Sequence, residues 1–305
     1  MAGTGWGVAA FLSIAAGLTR ITRQAMASET LDVARQIARG RLEQVVAWGC
    51  QYQKIEPHRI ASSGLDMIAV DPVLDGASGR IASRSEVAAL QNREGGNRLV
   101  LAYLALGAAE EYRAYWQSAW SSEPPAWLGP ANPDWPLSHS VRYWMPQWRA
   151  IVADGVRRIA EAGFDGVFLD RVDGFHDWQS EGETAREAMV DLVVELASIA
   201  RAINPAFLLV AQNAEPLLRN ERYVAAIDAV SKESLLTGLQ GPGQPNRDDQ
   251  IEWSLAYLVP ARQAGLTVLA IEYIEDEGRR APVAATLRGL GFIPFFGTRL
   301  LDRLP

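Results

Sequence analysis

The sequence predicts an α/β chain folded as a single-domain (β/α)8 TIM barrel. Three observations point there: eight short aliphatic runs, helical patterns between them, and no phosphate-binding glycine motif after any run. The runs are Val45–Tyr52, Met67–Asp71, Leu99–Leu106, Gly166–Asp170, Phe207–Gln212, Ile227–Lys232, Thr267–Glu272 and Gly291–Phe296. Each has the length and nearly continuous apolar character of a parallel strand covered on both faces. Eight such units in about 260 residues match the usual size of one barrel. The competing arrangement, an open doubly wound sheet, ordinarily carries G-x-G-x-x-G or a Walker A loop, and neither is present.

Taken in order, the chain opens with Trp6–Leu18, an apolar run too short to span a bilayer but of signal-peptide length. Ala25-Met26-Ala27 then supplies an A-x-A cleavage site before Ser28. Residues 1–27 are therefore expected to be an export signal and 28–305 the barrel, with no stable membrane insertion once the signal is removed. Arg20 and Arg23 follow the apolar run instead of preceding it. That placement keeps open the alternative of a cytoplasmic chain starting with a core helix.

Further on, Pro146 is a favoured first helical residue. Ile151, Val152, Val156 and Ile159 line one face, and Gly163 offers a left-handed stop. A second helix runs from about Thr184, with Met189, Leu192, Val193, Leu196 and Ile199 apolar, to Asn204-Pro205. A third spans roughly Asp249 to Ala264, with Ile251, Leu255 and Leu258 expected inward and Gly265 closing it. Two stretches look irregular, Trp116–Trp148 and Gly238–Asp248. Loops after barrel strands lie on one face, so both are expected to overhang its mouth.

Composition removes several functional classes. The 305 residues carry 36 Asp and Glu against 29 Lys and Arg, a net charge of −7, with 49% hydrophobic residues. Such a chain can bury a large core, and its acidity argues against a nucleic-acid partner, which would need a basic stripe. One Cys cannot form an intramolecular disulfide or a Cys-rich zinc site. His58, His139 and His176 show no metal-ligand spacing, so neither metal nor cofactor is expected.

The informative pattern is how the strands end. Asp71, Glu110, Asp170 (with Asp173), Glu215, Glu233 and Glu272 fall at or just past the C-terminal ends of six runs. A barrel gathers those ends into one bowl, whereas acids at the opposite face would mean little. Chemistry that needs two carboxylates and neither metal nor thiol is glycoside hydrolysis: one group attacks or stabilises the anomeric carbon while the other protonates the leaving oxygen. Aromatic residues add to this. Trp116, Trp120, Trp127, Trp135, Trp144 and Trp148 cluster in one stretch, and indole faces stack on sugar C–H faces. Trp127 and Trp135, flanked by Pro and Asn, are the candidate platforms, and Trp148 is expected in the core.

Particular strings carry a resemblance. LAYLALGAAEEYR (101–113), YWMPQWR (143–149) and GFDGVFLDRVD (163–173), followed by NPAF (204–207), QNAE (212–215) and SKE (231–233), resemble glycoside hydrolase family 114. This is a family of endo-α-1,4-polygalactosaminidases and relatives built on a (β/α)8 barrel. The resemblance implies Asp170 as the carboxylate at the reacting carbon and Glu233 as acid/base, with Glu215 the alternative for the second role. It also implies that Asp71, Tyr103, Glu110, Asp173, Gln212 and Asn213 line the subsites. The implied partner is a cationic amino-sugar polysaccharide, which an acidic bowl would suit. Three features depart from the family pattern: Cys50 replaces an expected aromatic residue, acid is dense around Glu272, Glu275, Asp276 and Glu277, and the Trp116–Trp148 loop is long. Competing hypotheses are a catalytically silent barrel that binds amino-sugar glycans, and a metal-dependent deacetylase, which the absent His ligands disfavour.

Overall fold

The computed structural model describes residues 32–304. The predicted export signal lies outside the described residues. Among those described, no helix is long and apolar enough to cross a membrane. Eight strands form one parallel sheet: β1 (Trp48–Gln51), β2 (Met67–Val70), β3 (Leu99–Ala105), β4 (Gly166–Asp170), β5 (Leu208–Gln212), β6 (Ala229–Glu233), β7 (Thr267–Glu272) and β8 (Ile293–Phe296). Each pairs in parallel with the next in chain order. The ladder ends at β8, and side chains close the seam. Trp48 Nε1 donates to the Ile293 carbonyl at 2.8 Å, and its ring packs on Phe295 at 5.6 Å.

Alternation along each strand produces two cores. Residues such as Met67, Ala69, Leu101, Phe168, Val210 and Leu269 point into the barrel. Their neighbours, including Ile68, Val100, Val167, Leu209 and Val268, face the helices. A helix over 32–43 (α1) plugs the N-terminal end of the barrel with Ala38 and Leu42.

The helical expectations hold with small adjustments. Helix α2 (Pro146–Ala162) starts on Pro146 and ends at Gly163, whose φ of 90° is left-handed. Helix α3 spans Gly182–Ile203 and buries Met189, Leu192, Val193 and Leu196. In α4 (Asp248–Gln263) the buried face is Ser254, Leu258 and Ala261. Ile251 and Leu255 are only half-buried, because Glu215 and its partners occupy the space beneath Ser254.

The Trp-rich stretch expected to be irregular holds most of a small antiparallel sheet, with strands Ala108–Glu110, Ser138–Val141 and Leu128–Ala131 in that spatial order. Gly107 joins it to β3. A Cβ there would come within 2.3 Å of the Arg171 carbonyl oxygen, so only glycine lets this excursion lie against the end of β4.

Candidate active site

Three adjacent strands end on Asp170, Gln212 and Glu233. By parity with Phe168, Val210 and Ala229, all three face the lumen. The residue that follows each one is left-handed: Arg171 at φ 54°, Asn213 at 57° and Ser234 at 54°. For non-glycine residues this conformation costs about 1 kcal/mol or more each. It turns the backbone away at once, which leaves the last side chain of each strand standing at the barrel mouth.

Both proposed catalytic carboxylates are tightly held. Asp170 accepts from Tyr103 Oη at 2.9 Å and from the Arg171 amide at 2.8 Å. Glu233 accepts from Gln212 Nε2 at 2.9 Å and pairs with the Arg299 guanidinium. Asn213 Oδ1 accepts the Glu233 amide at 3.1 Å, so Asn213 positions that strand end.

Burial pushes the Asp170 carboxyl up to about 7, and the charges of Glu233 and Asp173 add to the shift. Asp173 is raised by burial too, against the opposing pull of Arg171, His176 and Lys232. Burial also lifts the Tyr103 hydroxyl well above its ordinary value, with the Asp170 charge next in effect, so Tyr103 stays a proton donor. Beneath the pair lies Cys50, fully buried, its thiol raised first by burial and further by Glu233 and Asp170.

The acids do gather at this end, but most of them are not open to a ligand. Arg113 bridges Asp71 at 2.9 Å and Glu110 at 2.7 Å, and burial still raises Asp71 against that pull. Glu215 sits against Lys232 at 3.0 Å and Ser254 Oγ at 2.8 Å. Burial opposes its charge, yet Lys232 and these hydrogen bonds hold it below the usual carboxylate range. Glu215 is held by a buried lysine, whereas the Arg299 partner of Glu233 is open to solvent and can leave, which favours Glu233 over Glu215 as the proton donor.

Glu272, expected with the other strand-end acids to face a substrate in the bowl, requires a correction. It is fully buried and accepts from the Leu236 amide at 2.7 Å, the Thr237 amide at 3.1 Å and Thr237 Oγ1 at 2.6 Å. Its parity is that of Val268 and Ala270, which face away from the lumen, so it anchors the loop after β6. Trp127 is also corrected. It is 3% exposed, with its ring 5.0 Å from Trp120 and 5.1 Å from Trp148, and belongs to the core under the small sheet. Trp148 is buried as expected, and Trp135 remains 39% exposed at the mouth.

Several site residues went unnoticed in the sequence. Tyr52 and Tyr273 share lumen parity with Cys50 and Ile271, a signal that strand alternation alone could have supplied. The Tyr52 ring lies 4.5 Å from that of Tyr103, and its hydroxyl is buried close to the Cys50 thiol. Arg113 was visible three residues after Glu110, as an i,i+3 neighbour of opposite charge. Arg299 carried no local signal, since only barrel closure brings the loop after β8 beside β6.

The family model described as glycoside-hydrolase family GH114 matches residues 30–304. An uncharacterised protein of Deinococcus radiodurans is 35% identical over 266 residues, covering 86% of this chain and 83% of that one. Another, from Thermotoga maritima, is 30% identical and covers 75% and 71%. Among solved structures, the glycoside hydrolase domain of PelA from Pseudomonas aeruginosa superposes with a TM-score of 0.67 at 23% identity, covering 85% of this chain and 97% of that domain. Aspergillus fumigatus Ega3, in complex with galactosamine, gives a TM-score of 0.62 at 19% identity, with coverages of 86% and 95%. At those identities the two structures speak for the fold.

Proposed function

The chain belongs to glycoside-hydrolase family GH114 and is a glycoside hydrolase, and from that premise we propose that it cleaves α-1,4-linked galactosamine-containing polysaccharide with Asp170 and Glu233. The observation that carries this reading is the Asp170–Glu233 pair itself. The two carboxylates share one lumen, each is oriented by a neutral donor (Tyr103 and Gln212), and burial plus mutual charge raises Asp170 to about 7. A carboxyl that keeps a proton near neutral pH beside a second carboxylate is what acid-assisted glycoside cleavage requires.

Galactosamine suits the pair for a chemical reason. Its C2 amine adjoins the anomeric carbon, so a bound ammonium would lie beside whichever carboxylate faces that carbon. A cation there lowers the pKa of Asp170 and returns it to the ionised form that stabilises the anomeric centre. The proton it releases is then available to Glu233 for the leaving oxygen. Galactosamine bound in Ega3 supports the substrate class by analogy of fold. Export through the signal expected in residues 1–27 would bring the protein to such a polymer outside the cell.

The test is incubation with partly deacetylated α-1,4-linked polygalactosamine, with products read by mass. Wild-type protein is expected to release oligosaccharides, while Asp170→Asn and Glu233→Gln, folded by circular dichroism, release none. Undiminished release by either variant would overturn the assignment of that residue.

A further inference from the structure

Four cations meet the acids of the site, and three are built in. Arg113 and Lys232 have side chains only 12% and 14% exposed, and Arg171 is paired to Asp177 beside β4. Arg299 differs, because its side chain is 58% exposed while the Glu233 side chain it pairs with is 19% exposed. Its guanidinium lies 5.7 Å from the Trp135 ring centroid and 5.1 Å from that of Tyr273. Its backbone is firmly placed all the same. Leu301 accepts the Tyr52 amide at 2.8 Å, and Asp302 takes Lys54 at 2.8 Å and Thr298 Oγ1 at 3.0 Å. A fixed loop thus carries a solvent-reachable cation that spans the mouth from Trp135 to Glu233. It covers two aromatic faces and one carboxylate.

We propose that Arg299 is a displaceable counter-ion of Glu233 that sets how strongly the site prefers a free sugar amine to an N-acetyl group. The inference rests on the galactosamine reading above. The ammonium of the neighbouring sugar, on the leaving side of the bond, can replace the guanidinium, because the carboxylate exchanges one cation for another and the freed Trp135 and Tyr273 faces receive that sugar ring. An N-acetyl group brings no charge, so displacing Arg299 would leave Glu233 without a cationic partner. Arg299 therefore competes directly with amines and only weakly with amides. Arg299→Gln removes that competition.

Wild type, Arg299→Gln and Arg299→Lys are compared on galactosamine oligosaccharides and their N-acetylated counterparts through the ratio of kcat/KM values. The ratio of amine to N-acetyl is expected to rise about fivefold in Arg299→Gln, the worth of a half-exposed ion pair, through a lower KM for the amine. Arg299→Lys should stay within about twofold of wild type because the cation is kept. A ratio that is unchanged, or that falls, overturns the proposal.

A second measurement needs no sugar. Methylguanidinium, followed through indole N–H chemical shifts, should bind Arg299→Ala about fivefold more tightly than wild type, because the vacated cation place is then free. Equal binding to both overturns Arg299 as a displaceable counter-ion. If methylguanidinium discriminates while no galactosamine ligand is bound or cleaved by any variant, the substrate reading and the amine preference fall together. The counter-ion role of Arg299 stands in that case.

Discussion

The two ends of the barrel use acids in opposite ways. At the N-terminal end, Asp66, Asp165 and Asp228 each precede a strand and each accept a backbone amide from a neighbouring segment: Val46 and Ala47, Val100, and Leu209, all at 2.9 Å. Arginines complete them, most fully at Asp228, which takes Arg35 at 3.0 Å, Arg39 at 2.8 Å and Arg201 at 2.7 Å. The sequence reading expected acids at this face to mean little. They instead splice strand starts together and fasten α1 beneath the barrel. At the C-terminal end, Asp170 is half-buried with no cation in an ion pair among the described residues, and its charge is disfavoured. Charge at the bottom is matched and stabilises the fold. At the top, the charge of Asp170 has no such match, and that is where the chemistry is proposed.

The largest effect that probes this contrast falls on activity. Asp170→Asn should lower polygalactosamine cleavage by about 1,000-fold or more while raising the melting temperature. A variant that loses activity and also loses stability would erase the distinction between the two ends.

Next in size is Asp228→Asn, which leaves three arginines facing a neutral amide. Disrupting a buried ion pair of this kind costs about 3–5 kcal/mol. Denaturant unfolding should show that loss, with kcat nearly unchanged in the folded fraction. A comparable fall in kcat would mean that the bottom network reaches the mouth.

The pH dependence sharpens the comparison further. The folded pKa of Asp170 is raised, so the native state binds the proton more tightly than the unfolded chain does. Stability from this group is present in full below about pH 4 and is lost as pH rises toward about 7. Wild type and Asp170→Asn should therefore diverge in stability across that window, with the variant ahead by about 4 kcal/mol at pH 8. Asp66 has the opposite sign. Burial works against its charge, but the Val46 and Ala47 amides and Arg93 outweigh that and lower its pKa. Its contribution is present above about pH 4 and fades on further acidification. Equal slopes for wild type and Asp170→Asn between pH 4 and 7 would remove Asp170 as the strained acid.

The smallest effect is expected at Ser234, left-handed at φ 54°. Ser234→Gly should gain about 0.5 kcal/mol by relieving that conformation. The gain is expected to come with a several-fold loss of turnover as Glu233 becomes less firmly aimed. A gain in both stability and turnover would show that the turn does not position Glu233.

Much of this was legible in the sequence, for identifiable reasons. Gly166–Asp170 and Thr267–Glu272 were bounded correctly, because an aliphatic run with a turn residue on one side and an acid on the other leaves little freedom. Val45–Tyr52 was drawn too long, since Val45 already packs with the plug of α1 and the strand begins at Trp48. The gathering of acids could be read because a barrel turns chain order into spatial order. Their neutralisation could not. Lys232 meets Glu215 and not its neighbour Glu233, because successive strand residues point to opposite sides. Glu272 would have been sorted from Asp170 by the same parity test. Trp127 shows the limit of loop composition as a guide, for proline and asparagine flank buried indoles as readily as exposed ones.

The seam between β8 and β1 bears on how the enzyme breathes. Elsewhere the wall is sewn by a backbone ladder, but here an indole hydrogen bond and the Leu301–Tyr52 contact carry the join. Amide hydrogen exchange should be fastest along these two strands, and a pulling force applied across the barrel should part it there first. Arg299 rides on the loop that clasps this joint, so a seam that opened there would end at the rim of the proposed site.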